Sequence, residues 1–340
     1  GHRLGFTSGF SIYDSDDALR LITKVCKDLD LDPKRFPPRM FANAISNLKN
    51  ELKDYESVER DGVEQTDLIA QVYAEYQRRL QRANAMDFDD LIFNAVVLFQ
   101  AFPDVALDYH KRFRHILVDE YQDTNHAQYV LIKELVGNGE DGIPPAELCV
   151  VGDADQSIYA FRGATIRNIE EFEQDFPDAR TVMLEQNFRS TQNILTAANA
   201  VIAHNEGRIE KVLWTDAGDG APIVLWAADD EHDEAAYITR TIESLRREHG
   251  YRSADVAIMY RTNAQSRPLE DQFIRSGVNY KLVGGVRFYE RREVRDVLAY
   301  MKTLVNPNDE VALRRILNVP KRGIGDRAEE AVETLALRER

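Results

Sequence analysis

The chain has 340 residues, of which 44% are hydrophobic and 30% are charged, a composition typical of a folded protein with a sizeable buried core. Its formal net charge of −15 does not favour a nucleic acid partner through bulk electrostatics, so a phosphate-binding surface requires a local basic patch or stacking and backbone contacts. No apolar run approaches the roughly 20 residues that cross a bilayer, and the start of the chain lacks the apolar segment of a signal peptide, so we expect no membrane partner.

The first predicted region, residues 1–85, is expected to be entirely helical. Residues 15–17 (SDD) form a cluster of N-cap residues, and three stripes of apolar residues at helical spacing lie within this region. A fourth stripe follows Asp87. The four stripes occupy residues 19–29, 41–52, 68–80 and 91–99.

Short apolar runs then alternate with helical stripes, a pattern that is typical of parallel α/β sheets. Each run stops at polar residues, and ligands bind at the carboxyl ends of parallel strands. The first three runs are residues 115–118, 148–151 and 181–184. A second block predicts strands over 223–226, 256–260 and 282–284 and helices over 194–202 and 235–249. An acidic run at 229–234 is expected to begin the latter helix, because the helix dipole favours negative charge there.

The two cysteines predict a reducing setting. Cys26 lies on the apolar face of a predicted helix, and Cys149 lies inside a predicted strand. Both positions favour buried thiols over a disulfide. We therefore expect a cytoplasmic protein.

Two adjacent carboxylates directly follow the run at 115–118, within residues 119–123 (DEYQD). At the end of a strand, one carboxylate can hold Mg²⁺ and its waters while its neighbour orients or deprotonates an attacking water. Acidic residues also commonly end a strand at a protein surface. The pair Asp119 and Glu120 by itself leaves both interpretations open.

A second polar string, residues 151–164 (VGDADQSIYAFRGA), follows the next apolar run. Gln156 has a neutral side chain that can contact both a phosphate and a water. Tyr159 and Phe161 lie beside Arg162, and aromatic residues next to a phosphate-sensing loop suit stacking on bases. Plain core packing of the two aromatic side chains is the alternative.

A third string, residues 184–191 (LEQNFRST), places an arginine just before a predicted helix. Ser190 is the expected N-cap of that helix. Arg189 is suited to reach a nucleotide γ-phosphate, as an arginine finger does when it stabilises charge that develops during phosphoryl transfer. A surface salt bridge is the alternative.

The three strings together resemble helicase motifs II, III and IV of the UvrD/PcrA/Rep family of superfamily 1 DNA helicases. Flanking strings carry the same resemblance in matching order and spacing. These are residues 9–14 (GFSIYD), 86–91 (MDFDDL) and 318–325 (NVPKRGIG). The resemblance covers essentially the whole chain. It implies an incomplete α/β fold of RecA-like (P-loop NTPase-type) parallel sheets with helical accessory-domain insertions.

The resemblance also implies ATP and Mg²⁺ as cofactors and assigns residue roles. Asp119 would help to hold Mg²⁺, and Glu120 would activate the hydrolytic water. Gln156 would sense the γ-phosphate and link it to the DNA site. Arg189 would contact that phosphate from the domain cleft, and Phe188 stands where the family usually has a tyrosine that stacks on adenine.

Contacts to single-stranded DNA are implied by the same resemblance. Tyr159 and Phe161 match positions that stack on bases, the latter often a tryptophan in the family. Phe88 is a candidate for the same track. Arg162 would meet the DNA backbone.

A basic Gly-x-Gly segment, residues 321–325 (KRGIG), resembles a duplex-contacting element of the second accessory domain. Lys321 and Arg322 would contact DNA, and backbone N–H groups around Gly323 and Gly325 would hold a phosphate. An ordinary turn between helices is the alternative.

The family pattern divides the chain into four parts. Residues 1–85 correspond to a partial first accessory helical domain, and 86–185 to the latter part of the first RecA-like domain. Residues 186–305 correspond to the first part of the second RecA-like domain, and 306–340 to the start of the second accessory domain.

A phosphate loop of the form Gly-x-x-x-x-Gly-Lys-Ser/Thr does not occur in this sequence. The family places that loop upstream of Gly1 and its later motifs downstream of Arg340. We therefore expect an internal fragment that does not by itself turn over ATP at a useful rate.

The leading functional expectation is a parent ATP-dependent 3′→5′ DNA helicase or translocase. It would act on single-stranded DNA and single-/double-strand junctions in DNA repair, with repair proteins as partners. One alternative is a catalytically silent DNA- or partner-binding module of the same fold, which predicts salt-dependent binding to single strands without an ATP effect. Another is part of a helicase–nuclease subunit.

Overall fold

The computed structural model describes residues 2–58, 64–158, 167–170, 172–205, 210–283, 292–325, 328, 331–332 and 335. These residues form helices and two small parallel sheets, which confirms the α/β class. Two compact units divide the chain. The first contains Gly1–Met183, Asn205–Lys211 and Asp296–Arg340, and the second contains Leu184–His204 and Val212–Arg295.

The regular elements of the described residues include both short strands and longer helices. The strands are β1 (Ser11–Tyr13), β2 (Ala85–Asp87), β3 (His115–Val118) and β4 (Glu147–Val150). The α-helices are α1 (Ser15–Asp28), α2 (Pro38–Asn50), α3 (Glu64–Arg82), α4 (Phe88–Ala101), α5 (Pro103–Arg112), α6 (His126–Val136), α7 (Arg167–Glu170), α8 (Phe172–Asp175), α9 (Gln192–Ile202), α10 (Glu231–His249), α11 (Ser266–Ser276), α12 (Arg292–Val305) and α13 (Glu310–Leu317). Within the described ranges, no single helix has the length and apolar content to cross a bilayer, and one pair bent by 105°, α4 with α5, meets these criteria only jointly.

A buried apolar cluster joins α1, α2 and α3 in the first unit. The helix α1 begins after Asp14, whose side chain accepts hydrogen bonds from the N–H groups of Asp16 (3.0 Å) and Asp17 (2.9 Å). The N-cap therefore lies one residue before the cluster expected at 15–17. Full burial of one aliphatic side chain contributes about 1.5–3 kcal/mol, so this cluster is a main source of stability. Its buried members are Tyr13, Leu21, Ile22, Val25, Cys26, Phe41, Ile45, Val72, Tyr73, Tyr76, Leu80, Ala83, Ala85 and Val311.

The strands β1 and β2 pair in parallel, with Ser11 opposite Ala85 and Tyr13 opposite Asp87. The expectation that residues 1–85 are entirely helical is therefore wrong at β1. A three-residue strand is too short to show the alternation that reveals longer strands. The pairing places Asp87 at the end of β2, where it also caps α4.

The parallel pair of β3 and β4 confirms the first two predicted strands, with His115 opposite Glu147 and Val118 opposite Val150. One face of the pair is half-buried and the other is exposed. The exposed face carries Leu117 and Cys149, so the expectation of a buried Cys149 thiol is wrong. A wholly apolar run predicts a sheet covered on both faces, whereas the described residues cover only one face here.

Three other predicted strands, at 181–184, 223–226 and 256–260, are not strands in the structure. A strand requires a hydrogen-bonded neighbour, and no described segment pairs with these runs in a ladder. The side chain of Leu225 is 97% exposed. Leu282 and Val283 are likewise outside any strand, and the last position of that prediction, residue 284, lies outside the described residues.

The second unit has its own small apolar core, formed by Ile242, Phe273 and Val278. The helix α10 begins after Asp230, whose side chain accepts from the N–H groups of His232 (2.9 Å) and Asp233 (2.8 Å). The acidic run therefore begins the helix, as predicted. Both α10 and α11 end at a glycine in the left-handed conformation, which frees the chain to leave the helix.

Candidate active site

The loops after β3 and β4 lie at the same end of the sheet because the two strands are parallel. Hydrogen bonds continue past the strands, from Val151 N–H to the Val118 carbonyl (2.8 Å) and from Tyr121 N–H to the Val151 carbonyl (3.0 Å). The structure therefore brings the string at 119–123 beside the start of the string at 151–164.

Gln122 connects the two loops through its side-chain amide. Its Nε2 donates to Glu120 Oε2 (2.6 Å), and its Oε1 accepts from the N–H of Asp153 (2.9 Å). The side chain is almost completely buried. A buried amide that satisfies both of its ends holds its partners more firmly than an exposed one, because leaving either partner unpaired costs free energy.

Gly152 is required where the loop after β4 passes Gln122. A Cβ atom at this glycine would lie 2.9 Å from Gln122 Oε1 and 3.3 Å from the Gln122 backbone nitrogen. Any larger residue must displace the bridging amide or the backbone. The glycine therefore permits the close approach of the two loops.

Asp119 and Glu120 are both exposed at this edge. Asp119 Oδ1 accepts from the N–H of Glu120 (3.0 Å), and Glu120 has left-handed backbone angles, with φ 50° and ψ 44°. Two accessible carboxylates offer the hard oxygen ligands that Mg²⁺ prefers. Among the described residues, no cluster of three His, Cys, Asp or Glu side chains could hold a metal ion alone. The donor set fits a Mg²⁺ ion that shares its shell with phosphate oxygens and water.

Gln156 ends a short 3₁₀ turn, Ala154–Gln156, in the loop after β4. Its Nε2 donates to Asp153 Oδ2 (2.7 Å), and Asp153 in turn donates its N–H to Gln122. The structure therefore brings Gln156 into the hydrogen-bonded group that contains Glu120. The predicted residues Tyr159, Phe161 and Arg162 lie outside the described residues.

The side chain of Tyr121 anchors the string at 119–123 by its own burial. Its ring is buried, and it meets the Phe172 ring edge-on at a centroid distance of 5.6 Å. Burial raises the pKa of Tyr121 to about 12, so the hydroxyl stays neutral. The two exposed carboxylates thus follow a strand and precede a fixed aromatic side chain.

Phe188 and Arg189 belong to the second unit. Asn187 Oδ1 accepts from the N–H groups of Arg189 (2.9 Å) and Ser190 (2.7 Å), which fixes a turn just before α9. Phe188 and Arg189 are exposed on this turn. The N-cap of α9 is Thr191, whose side chain makes no capping hydrogen bond, and not Ser190.

Phe88, the remaining aromatic candidate, is the first residue of α4 and is 56% exposed. Its neighbours Asp87 and Asp90 are buried. The ring therefore faces solvent from a backbone that is fixed on both sides.

The segment at 321–325 packs against the end of α13. The Arg322 guanidinium Nη1 donates to the carbonyls of Ile316 (2.7 Å), Val319 (3.0 Å) and Leu317 (3.1 Å), which satisfies carbonyls that the helix end leaves free. Lys321 and Gly325 are exposed, and Gly323 adopts a φ of +75°.

Two family models match the chain. The model described as the UvrD/REP helicase N-terminal domain matches residues 1–177. The chain belongs to the UvrD/Rep helicase family. A second model of this family, the UvrD-like helicase C-terminal domain, matches residues 182–338. The resemblance and the RecA-like fold inferred from the sequence strings are confirmed by these matches.

Curated relatives in this family are similar over nearly the whole chain. The chain is 62% identical over 337 residues to the ATP-dependent DNA helicase UvrD1 of Mycobacterium tuberculosis, covering 98% of the chain and 44% of that protein. It is 58% identical over 340 residues to UvrD1 of Mycobacterium leprae, with the same coverage. It is 48% identical over 336 residues to the ATP-dependent DNA helicase PcrA of Staphylococcus epidermidis, covering 98% of the chain and 45% of that protein. The chain spans less than half the length of these relatives.

Sequence reasoning missed two buried polar residues, Gln122 and Lys49. Nothing in the pattern of the string at 119–123 distinguishes the buried Gln122 from the exposed Asp119 and Glu120. Lys49, by contrast, continues the helical spacing of Phe41 and Ile45 on the apolar face of α2. A lysine on the buried face of a helix was the available signal for a buried ion pair.

Proposed function

We propose that this chain supplies nucleotide- and DNA-contacting parts of an ATP-dependent DNA helicase that moves 3′→5′ on single-stranded DNA, in DNA repair. The observation that carries the proposal is the Gln122 bridge, which holds Glu120 and the loop of Gln156 together at one end of the β3–β4 pair. Family membership and the names of the relatives support it.

Each side chain of the proposed hydrolytic site has a distinct role. Mg²⁺, when bound with ATP, neutralises charge on the phosphates, and Asp119 would hold it. Glu120 orients and deprotonates the attacking water, and Gln156 contacts the γ-phosphate. Arg189 stabilises the charge that develops on that phosphate, while Phe188 stacks on the adenine ring.

The proposed DNA track uses aromatic stacking more than charge, which suits a chain with a net charge of −15. Phe88, Tyr159 and Phe161 stack on bases, and Arg162 contacts the backbone. Lys321 contacts the duplex at a junction, together with the backbone N–H groups near Gly323. Repair proteins are the proposed partners, and the free thiols of the described residues support a reducing, cytoplasmic setting.

The test of the hydrolytic site replaces Glu120 with glutamine in the full-length gene product. We expect Glu120→Gln to lower DNA-stimulated ATP hydrolysis by about 10²-fold or more, since a positioned base contributes about 10²–10⁴-fold. ATP binding, followed with a fluorescent analogue, should persist. Glu140→Gln, at an exposed site in another loop, is the matched control. Unaltered turnover in Glu120→Gln would remove that residue from the proposed mechanism.

Direction of movement is tested with two duplexes that differ only in which strand end carries a single-stranded tail. A 3′-tailed duplex should be unwound in the presence of ATP and Mg²⁺, and a 5′-tailed one should not. Equal unwinding of both would contradict the proposed polarity. Binding of single strands that never responds to ATP would favour the silent module instead.

A further inference from the structure

We infer that Lys49 is a positioning residue that fixes the turn carrying Phe88, and thereby orients this ring for stacking on single-stranded DNA. The inference rests on the proposed function for the role of Phe88. The role of Lys49 rests on the contacts between α2, α3 and the start of α4.

Lys49 forms two short ion pairs in the interior of the first unit. Its Nζ lies 2.7 Å from Asp87 Oδ2 and 2.8 Å from Asp90 Oδ1. The side chains of Lys49 and Asp90 are each 1% exposed. A charge buried this deeply requires its partners, because removing one leaves the other uncompensated.

The two carboxylates that Lys49 contacts also form the N-cap of α4. Asp87 Oδ1 accepts from the N–H of Asp90 (2.8 Å), and Asp90 Oδ2 accepts from the N–H of Asp87 (3.1 Å). Such a reciprocal capping box fixes the first turn of a helix. Phe88 lies between these two residues, so its backbone is held from both sides by groups that Lys49 joins.

Helix α3 completes the network with two neutral donors. The Tyr76 hydroxyl donates to Asp87 Oδ2 (2.9 Å), and Gln77 Nε2 donates to Asp90 Oδ1 (3.1 Å). Burial raises the pKa of Asp90 to about 6. Burial acts the same way at Asp87, but the Lys49 ammonium, the N–H of Asp90 and the Tyr76 hydroxyl together outweigh it and lower the pKa of that carboxyl. Lys49 supplies the positive charge that favours the ionised form of both carboxyls.

The end of α2 is also tied to the carboxylate string. Asn50 follows Lys49, and its Oδ1 accepts from Asn125 Nδ2 (2.8 Å). Asn125 caps α6 directly after the string at 119–123. Lys49 therefore lies on a helix end that is fixed between the proposed hydrolytic loop and the turn of Phe88.

A fixed backbone matters for stacking because an aromatic ring that is already oriented loses less conformational freedom when it binds. Phe88 is 56% exposed even though both flanking carboxylates are buried. The network therefore holds the backbone of Phe88 and leaves more than half of this residue exposed. Loosening the network should weaken DNA binding without touching the DNA-contacting ring.

The experiment compares variants of the 340-residue chain by two measurements. Since Lys49→Met alone is expected to disturb folding, the main variant is the neutral triple Lys49→Met/Asp87→Asn/Asp90→Asn, in which asparagine can still cap α4. Tyr76→Phe is a milder second variant. Phe88→Ala measures how much the ring contributes to DNA affinity. Lys133→Met, which removes an exposed ion pair to Asp175, is the matched control.

The first measurement is amide hydrogen exchange in the peptide covering residues 86–91. The second is the affinity for a labelled oligothymidylate of about 16 nucleotides. We expect the triple variant to exchange faster in that peptide. It should also bind about fivefold or more weakly, the same loss that we expect for Phe88→Ala if about 1 kcal/mol or more of stacking is removed. Adding Phe88→Ala to the triple should weaken binding no further, and Tyr76→Phe should shift both measurements in the same direction by less.

Three outcomes would overturn the inference in different ways. If Phe88→Ala weakens binding but the triple variant changes neither exchange nor affinity, Lys49 does not position the ring and the proposed DNA track stands. If exchange rises in the triple variant but Phe88→Ala binds normally, the proposed role of Phe88 has failed and the positioning role fails with it. Additive losses from the triple variant and Phe88→Ala would show that the two act independently, which also contradicts the inference.

Discussion

The helical core of the first unit and the loops after β3 and β4 both hold acidic side chains in place, but by different means. In the core, Asp87 and Asp90 are buried and depend on the charge of Lys49. At the sheet edge, Asp119 and Glu120 remain exposed, and the neutral side-chain amide of Gln122 donates a hydrogen bond to Glu120. Ion pairing therefore goes with buried carboxylates in the core, whereas the neutral contact leaves the carboxylates at the sheet edge accessible, as their proposed role in hydrolysis requires.

The largest effect expected from this comparison is the loss of Lys49. Lys49→Met leaves two buried carboxylates without their cation, and breaking a buried pair in this way costs about 3–5 kcal/mol. Urea unfolding followed by circular dichroism measures the loss. The exposed pair of Lys133 and Asp175 offers the control, because Lys133→Met should change stability by less than about 1 kcal/mol. Equal losses of stability in Lys49→Met and Lys133→Met would contradict the expected difference between buried and exposed ion pairs.

A smaller effect is expected where the sheet edge is packed most closely. Gly152→Ala introduces a Cβ atom 2.9 Å from Gln122 Oε1, and such overpacking costs about 1–3 kcal/mol. The displaced amide should also loosen Glu120, so DNA-stimulated ATP hydrolysis by the full-length gene product should fall. Gly142→Ala is a less suitable control because that glycine has a φ of +83°. Gly325→Ala meets no atom within 4 Å and should leave stability nearly unchanged.

His110 provides an intermediate case between the buried and exposed arrangements. Its Nδ1 lies 2.6 Å from Asp141 Oδ2 and its Nε2 lies 2.6 Å from the Glu134 carbonyl, so the imidazolium, with two N–H donors, satisfies both acceptors. Burial lowers the pKa of His110, but these two contacts outweigh it and raise the pKa above its ordinary value.

The sign of the pH effect follows from that raised pKa. The stabilisation is fully present below the unfolded-state pKa of about 6.5, and it is lost as the pH rises through the folded-state pKa. In urea unfolding we expect a loss of about 1 kcal/mol or less as the pH rises from below the unfolded-state pKa to above the raised folded-state pKa, and His110→Gln should lack this part of the pH dependence. A steeper slope in the variant would contradict the assignment.

The smallest effect is expected on the open face of β3. Leu117 is 79% exposed, so Leu117→Ser should change the free energy of unfolding by no more than about 0.5 kcal/mol. Ile45→Ala in the helical core should cost about 2–5 kcal/mol. A large loss from Leu117→Ser would mean that this face is covered in solution and would remove the contrast between the two regions.

The sequence predicted those elements whose signal is local. The acidic start of α10 and the stripe of Ile22 and Val25 in α1 are confirmed because capping and periodicity depend only on nearby residues. The apolar runs of β3 and β4 are confirmed as strands because they pair with each other. The strands at 223–226 and 256–260 were wrong because an apolar run reports a preference for burial, while a strand also needs a partner far along the chain.

The sequence strings of the candidate site were predictable, but the hydrogen bonds that connect them were not. Asp119, Glu120 and Gln156 stand out by type and by their place after apolar runs. The bridge from Gln122 to the N–H of Asp153 joins residues that are distant in the chain, and no spacing within either string predicts it. Lys49 is the opposite case. Its position in the helical stripe of Phe41 and Ile45 was a sequence signal for a buried lysine, and the structure shows that this lysine is buried.

The backbone conformation of Glu120 gives independent support for the proposed role of its carboxylate in hydrolysis. Among the described residues with positive φ other than glycine, Asp30, Leu52 and Asn84 follow the ends of helices, where a left-handed residue commonly closes the last turn. Glu120 instead follows a strand, in a conformation that costs an ordinary residue about 1–2 kcal/mol and glycine almost nothing. Folding alone thus favours glycine at this position, and the unfavourable backbone conformation of Glu120 supports the proposal that its carboxylate acts in hydrolysis.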